Sequence, residues 1–392
     1  MLKRIPQWLV AGAIAFVIVW IVSHGRSTYY NNYVLLARAF LDGRTWIDWP
    51  GPYIDALAYH GHYYIIEAPL PALLLVPLVA IFHDANQTLL CAVLAGIGVG
   101  AAWELGRRLG VKPTANVWIC AFLLGGTDLL WCAMLGDVWF AAHVSAACFT
   151  LLALVELAGK RRGWLVALWG ACAFESRFSL VLVLPVYLYL LVTDADRPFA
   201  FSSRRRGALF SFIGVLVPVA ALWVLYNQAR WGTWSDIGYT TWYHQDQAGM
   251  PLGSPFKLTY LPYQLWSFFV QAPAFTGTFP WIAPSISGVA LTWTSPALIL
   301  SFFARQPVRF VLALWTAALL SALPNVLYYV NGFAQFGMRH ALDFEPFLLA
   351  LMMLAARGRE RLPWWNTALI AYSIIVGLWG CWYWNVFVRA GS

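Results

Sequence analysis

Residues 69–82 read PLPALLLVPLVAIF, and the path of the whole chain turns on whether this run crosses a membrane. It is apolar throughout, yet shorter than the roughly 20 helical residues that span a hydrocarbon core of ~30 Å. Its three prolines (Pro69, Pro71, Pro77) each lack a backbone N–H and disfavour a long straight helix. Counting it as a crossing would also put Arg107 and Arg108, which follow the next apolar run, on the outer side. Cytoplasmic loops are the ones enriched in Lys and Arg. Parity therefore demotes 69–82 to a helix lying in, or dipping into, the outer leaflet.

Working outward from that run, the composition excludes a soluble protein. Apolar residues make up 61% of the 392 and charged ones 11%, where an ordinary globular domain carries about a quarter charged. Apolar runs recur along the full length with short basic clusters between them. No stretch offers a soluble domain, so residues 1–392 read as one membrane-embedded unit. The net charge of +8 sits at the ends of apolar runs. It is a topology signal, unlike the single basic face of a nucleic-acid binder. The six cysteines lie in or beside apolar segments at no metal or disulfide spacing. No small-x-small cleavage site follows the apolar run Gln7 to Val22, so a retained first helix is expected rather than a signal peptide.

The basic clusters are Lys3/Arg4, Arg107/Arg108/Lys112, Lys160/Arg161/Arg162, Arg204/Arg205/Arg206, Arg305/Arg309 and Arg357/Arg359/Arg361. Placing all six inside threads an all-α polytopic protein with about eleven transmembrane helices. Helix one (7–23) goes out, followed by a long outer segment (24–87) with membrane-surface helices. Helices at 88–106, 114–131 and 138–158 then return, leave and return. The run 164–193 is broken by Phe174-Glu175-Ser176-Arg177-Phe178 and reads as two short helices around a charged elbow near the outer side. Beyond it come helices at 207–227, 288–304, 309–329, 344–356 and 363–385, with outer segments at 228–286 and 330–343. Most acids then fall outside or near the outer boundary, and so does the search for chemistry.

The first outer segment carries an amphipathic helix, with Tyr33, Leu36, Ala37, Phe40 and Leu41 at helical spacing. A Trp/Pro/Tyr-rich loop follows. Asp55 there stands in aromatic company. It reads either as a turn carboxylate or as a general base whose pKa burial would raise. His60 and His62, two apart, are the candidate ligands for a divalent metal, with a carboxylate completing the site. Asp137, at the mouth of the fourth helix, suits the helix dipole by itself. With His143 nearly two turns on, it is also an ionisable pair facing an intramembrane cavity. Glu175 and Arg177 pair with each other, or Arg177 forks onto an anionic group near the membrane surface. The last outer loop gathers Gln335, Arg339, His340, Asp343 and Glu345 immediately before a helix.

Four stretches carry a resemblance. They are Asp55-Ala-Leu-Ala-Tyr59-His-Gly61-His-Tyr63-Tyr64 running on to Pro69 and Pro71, YNQARWGTWSDIGY (226–239), LTWTSPAL (291–298) and NGFAQFGMRHALDFEPF (331–347). Together the chain resembles the C-type glycosyltransferase superfamily (GT-C fold), polytopic enzymes that use polyprenyl-phosphate-linked sugars, in particular its bacterial members. The resemblance implies a first outer loop with surface helices and a second acid between helices three and four, the place of Asp137. Many members carry an acid, often Asp-Glu, just after helix one. This chain has Thr28-Tyr29-Tyr30-Asn31-Asn32 instead, which moves the expected base to Asp55.

The activity so implied is an inverting transfer of one sugar from a polyprenyl phosphate to a hydroxyl of an envelope glycan or lipid, at the exoplasmic face of a bacterial inner membrane with the N-terminus cytoplasmic. Asp55 is the expected base and Asp137 the second catalytic carboxylate. Arg177, Arg339 and His340 face the donor phosphate. Glu67, His60, Tyr63, Arg230, Gln335 and Asp343, with Lys257, line the acceptor side. The sequence specifies no cofactor and leaves a divalent metal open, with His60 and His62 as its candidate ligands. The alternatives are an envelope polymer ligase or polymerase and a lipid-linked-sugar transporter. A transporter often shows internal repeats around a midplane site; here no repeat is evident and the polar residues gather at one face.

Overall fold

A computed structural model describes residues 5–51, 55–194, 197–201, 205–246 and 253–389. Lys3, Arg4 and Arg204, three members of the basic clusters, lie outside the described residues. Helices account for nearly all the regular structure, because a chain within lipid must satisfy its backbone polar groups internally. The first helix, α1 (Gln7–Val22), packs on α4 (Gln87–Leu109) through glycines. A Cβ added at Gly12 would lie 2.7 Å from the Gly96 carbonyl oxygen, and one at Gly100 2.9 Å from that of Trp8. Such close backbone approach is how apolar helices associate where lipid removes the hydrophobic drive between them.

Between these two in sequence, α2 (Asn32–Leu41) lies against α3 (Leu70–Phe82), and the hairpin β1 (Leu57–Tyr59) and β2 (His62–Tyr64) joins them. The 69–82 run is thus a 13-residue helix with Pro77 inside it, too short to cross. Next come α5 (Pro113–Gly125) and α6 (Leu129–Leu135), bent against each other by 47°. The centre of the molecule is α7 (Val138–Leu157), whose apolar stretch is 89% buried. The elbow at 175–177 separates α8 (Gly163–Phe174) from a 3-10 turn (Phe178–Val183) that runs into α9 (Leu184–Val192). Against α8 and α9 packs α10 (Arg206–Trp231), which is apolar but only 6% buried.

The second long segment holds α11 (Gly238–Asp246) and α12 (Leu261–Phe269), and α13 (Leu291–Thr294) and a 3-10 stretch, Pro296–Phe303, follow it. The chain closes with α14 (Val308–Val326), a 3-10 turn (Arg339–Asp343), α15 (Glu345–Ala355) and α16 (Trp364–Tyr383), which a π-helical turn, Trp384–Val388, extends.

Among the described residues, five helices are long and apolar enough to cross a membrane: α4, α7, α10, α14 and α16 with its extension. The bent pair α5 and α6 makes a sixth if it is one span. Helix length therefore supplies five or six crossings against the eleven expected from hydropathy and charge. The shortfall falls where apolar runs are broken. The 164–193 run divides at its elbow, 288–304 divides at Ser295-Pro296, and α1 and α15 run for 16 and 11 residues.

The two ends of the bundle differ in kind. At one end the basic clusters meet: Gly358 N donates to Gly110 O (2.9 Å), Arg108 Nη1 to Val155 O (2.6 Å) and Arg309 Nη2 to Leu190 O (2.8 Å). These charged ends satisfy the exposed carbonyls of helix termini, as cations there should. At the opposite end converge the C-terminal ends of α1, α8, α10, α14 and α16 and the start of α7, around one cavity.

Candidate active site

The cavity has a volume of about 1500 Å³ and takes residues from helix ends scattered over the chain. The carboxylates that line it are Asp55, Glu67, Asp137 and Asp236, the last engaged by Arg230. Gln87, near the start of α4, accepts from Tyr33 N (3.2 Å) and donates to Tyr30 O (3.3 Å) and Gly136 O (2.5 Å). Val138 N also donates to Tyr30 O, at 3.2 Å. One buried amide thereby ties the first long segment to the mouth of α7 and brings Asp137 beside it. The Thr28 hydroxyl donates to the Asp137 carboxylate. Asp55 is set by Asn32 Nδ2, which donates to its backbone carbonyl (2.9 Å), and by the Trp139 indole, which donates to its carboxylate (3.1 Å). Glu67 is buried, and its Oε2 has no partner among the described residues.

Burial pushes the Asp137 carboxyl up to about 6, although the Thr28 hydroxyl, Arg389 and Arg339 pull the other way. Burial, with the Asp55 charge added, pushes Glu67 up to about 7. Both lie in the range where a carboxylate exchanges protons near neutral pH.

Arg177, His340 and Arg339 also line the cavity. Arg177 is already spoken for. Its Nε lies 3.2 Å from both Asp343 oxygens and its Nη2 3.0 Å from Asp343 Oδ2. The same carboxylate takes hydrogen bonds from Ser179 Oγ (2.8 Å) and Asn325 Nδ2 (2.9 Å) and lies 2.8 Å from His143 Nδ1. Asp343, with 0% of its side chain exposed, does not line the cavity; it is the buried hub that orients Arg177 from behind. Arg339 contrasts with it. At 8% exposure it makes no ion pair among the described residues, its Nε is unpartnered, and Nη1 reaches only Phe333 O at 3.4 Å. Its guanidinium lies 5.2 Å from the centre of the Phe140 ring. Burial pulls its pKa down to about 10, although Cys132 and Asp128 act the other way. That is still far above neutral, so the cavity wall carries a cation that makes no ion pair among the described residues. His340, beside it, is pushed well below its usual value by burial and by Arg339, and stays neutral.

Other residues expected at the site stand apart from it. His60 stacks on Tyr59 (4.0 Å) and His62 lies tilted against Trp46 (4.5 Å), at the turn of the hairpin. No group of three His, Cys, Asp or Glu side chains suited to a metal occurs among the described residues, so the pair lacks the further ligand it would need. Tyr63 packs on Trp49 (4.8 Å), and its carbonyl accepts from Ile47 N. Arg230 is buried between Ile65 O (3.3 Å), Asn227 Oδ1 (3.0 Å) and Asp236 Oδ2 (3.1 Å), locking the second long segment to the hairpin. Gln335 donates to Ser287 O and Asn331 O and folds the 330–343 loop on itself. Lys257 also lies off the cavity, held by its backbone to Leu327 O.

The structure adds residues that sequence reading passed over. Asn325, in α14, was open to notice, since a polar side chain inside an apolar helix is seldom idle. Thr28, Tyr30 and Trp139 carried no such signal. Arg26 and Arg389, which line the cavity near Asp137, read in sequence only as charges flanking apolar runs.

One end of the helical bundle thus holds a cavity lined by both carboxylates and guanidinium groups. No family model matches the chain, and no curated protein matches it. Among solved structures, it is similar to ArnT from Cupriavidus metallidurans, crystallised bound to undecaprenyl phosphate, with a TM-score of 0.54 at 15% identity. The alignment covers 94% of this chain and 63% of that one, so the chain spans less than two thirds of the length of its structural neighbour. At that identity the likeness establishes the fold, and the fold is GT-C.

Proposed function

We propose that the chain is an inverting glycosyltransferase that moves a sugar from a polyprenyl phosphate to a hydroxyl of an envelope glycan or lipid, on the exoplasmic face of a bacterial inner membrane. The observation that carries the reading is Arg339, a buried cation that makes no ion pair among the described residues and shares one cavity with Asp55, Glu67, Asp137 and Asp236. A phosphate is the anion that a guanidinium fork fits best. The apolar side of the cavity, from Val181 and Leu182 to Val219 and Trp223 on α10, suits a prenyl tail. That the structural neighbour was crystallised with undecaprenyl phosphate supports the same donor class.

In the proposed reaction, Asp137 takes the proton of the acceptor hydroxyl as its oxygen bonds to the anomeric carbon. The bond from that carbon to the phosphate oxygen breaks, and the phosphate leaves with the electron pair and the charge. Arg339 stabilises that charge, with Arg177 held by Asp343 as a second, already neutralised donor, and neutral His340 beside them. A single displacement inverts the anomeric centre. Asp137 stands ahead of Asp55 as the base because it lies within electrostatic reach of both Arg339 and Arg389. Asp55, hydrogen-bonded to Trp139, orients the acceptor.

The test is turnover of labelled polyprenyl-phosphate sugars on envelope acceptors by the purified protein, wild type against Asp137→Asn and Asp55→Asn. Equal turnover by wild type and Asp137→Asn would remove Asp137 as the base. Donor binding with no transfer to any acceptor would point to the transporter instead.

A further inference from the structure

From Leu258 to Ala304 the chain carries no Asp, Glu, Lys, Arg or His, although this stretch begins in the second long segment, expected outside the membrane. Its helix α12 is built inside out. Gln264 and Ser267 are buried, as is Gln271 just beyond the helix, while Tyr263, Leu265, Trp266, Phe269 and Val270 are exposed. The buried polar groups bond within the protein. Gln264 Nε2 donates to Tyr328 O (2.7 Å), Ser267 Oγ accepts from Asn331 Nδ2 (2.9 Å), and Gln271 Nε2 donates to Ser287 Oγ (2.6 Å) and Gly288 O (2.8 Å). A hairpin of Ala274–Phe275 with Ile282–Ala283 follows, and it leaves Phe275, Phe279, Trp281 and Ile282 exposed. Phe279 packs on Trp382 (6.0 Å) and Phe387 (5.9 Å), which belong to Trp364–Val388, a stretch long and apolar enough to cross a membrane. The exposed surface is continuous with that of the span, where Leu378, Trp382 and Phe387 also face outward. It lies near the end of the bundle at which Trp384 and Val388 line the cavity.

In water a surface helix turns its polar side out, because apolar area left exposed there costs about 25 cal/mol per Å². Hydrocarbon removes that cost and instead penalises polar groups that face it. Polar inside and aromatic outside is therefore the pattern of a surface wetted by lipid, and Trp and Tyr gather where such a surface meets the headgroups. We propose that α12 and the 274–283 hairpin form a membrane-inserted face, lying beside α16 in the leaflet at the cavity end, with phospholipid acyl chains as its occupant. The same element holds the loop that carries Arg339: Gln335 Nε2 donates to Ser287 O (2.8 Å) and Val289 N to Phe336 O (2.9 Å). Lipid contact thus sets the level of that loop against the headgroups. The proposal goes beyond the transferase reading and stands without it.

The experiment compares two tryptophans of the unsubstituted full chain in phosphatidylcholine liposomes. Trp281, on the hairpin, is 60% exposed and Trp49, on the first outer segment, 56%, but Trp49 follows Asp48, which is ion-paired with Arg44. Hydroxyl radicals mark residues that face water. A phosphatidylcholine with a photoactivated diazirine in its acyl chain marks those that face lipid, and mass spectrometry maps both sets of adducts. Trp281 and Phe275 take the lipid adduct several-fold over Trp49, and Trp49 is oxidised several-fold over Trp281. In a second measurement, a nitroxide on Phe275→Cys is relaxed more by oxygen than by a water-soluble nickel chelate, and one on His60→Cys shows the reverse. The unsubstituted chain supplies the background. Oxidation of Trp281 as ready as that of Trp49, or absence of lipid adducts on both Trp281 and Phe275, overturns the proposal. Crosslinks from the hairpin to a second copy of the chain overturn it too, because protein would then stand where lipid is proposed.

Discussion

Replacing Arg339 by glutamine is expected to separate function from stability in opposite directions. The guanidinium is 8% exposed, has no ion pair among the described residues, and leaves its Nε unpartnered. Burying such a charge costs several kcal/mol that no partner returns. Its visible compensation is one long hydrogen bond to Phe333 O and the Phe140 ring at 5.2 Å, a cation–π contact worth about 1–2 kcal/mol. A neutral glutamine loses that contact and also the burial cost, so the folded protein without ligand is no less stable than wild type. In the proposed reaction the same group would face the charge that develops on the leaving phosphate. Loss of one such preorganised donor typically removes about 2.7–4 kcal/mol of transition-state stabilisation, or about 100- to 1,000-fold in kcat. Thermal unfolding of detergent-solubilised protein, with and without undecaprenyl phosphate, gives the first quantity, and steady-state transfer gives the second. Wild type gains thermal stability from the lipid phosphate and Arg339→Gln does not. A variant that unfolds several degrees early while keeping its turnover would refute the reasoning, because Arg339 would then be a structural cation.

Asp343→Asn gives the converse pattern. It leaves Arg177 buried without its carboxylate, and breaking one side of a buried pair costs about 3–5 kcal/mol, so thermal unfolding shifts down together with the loss of turnover. The Asp137 carboxyl, raised to about 6, must be ionised to act as base. Below that pH kcat/KM therefore falls by about tenfold per unit, and the acidic limb is absent from the residual activity of Asp137→Asn. On the scaffold, Gly96→Val places a side chain where a Cβ already meets Gly12 O at 2.9 Å. Prying α1 from α4 costs about 1–3 kcal/mol, read as earlier thermal unfolding, while a valine at Gly207, where a Cβ meets nothing, changes little.

By itself the sequence determined the helical membrane class of the protein and where its apolar runs are short or broken. Hydropathy adds up residue by residue, and proline and charge act locally. Those properties placed α3 short of a crossing, put the elbow at 175–177 between two short helices, and gathered the acids at the end where the cavity lies. Tertiary structure decided which charges are used. Arg177 and Arg339 looked alike as phosphate ligands, but Asp343 lies 166 positions from Arg177 and bonds to it, while Arg339, four residues from Asp343 in sequence, makes no ion pair among the described residues. Gln335 and Arg230 became internal ties, and Arg26 met Arg389 from the far end of the chain. The physical reason is that the cost of a buried charge depends on which groups lie within a few ångströms of it. In a bundle those neighbours come from whichever helix ends converge, and their order along the chain does not encode that.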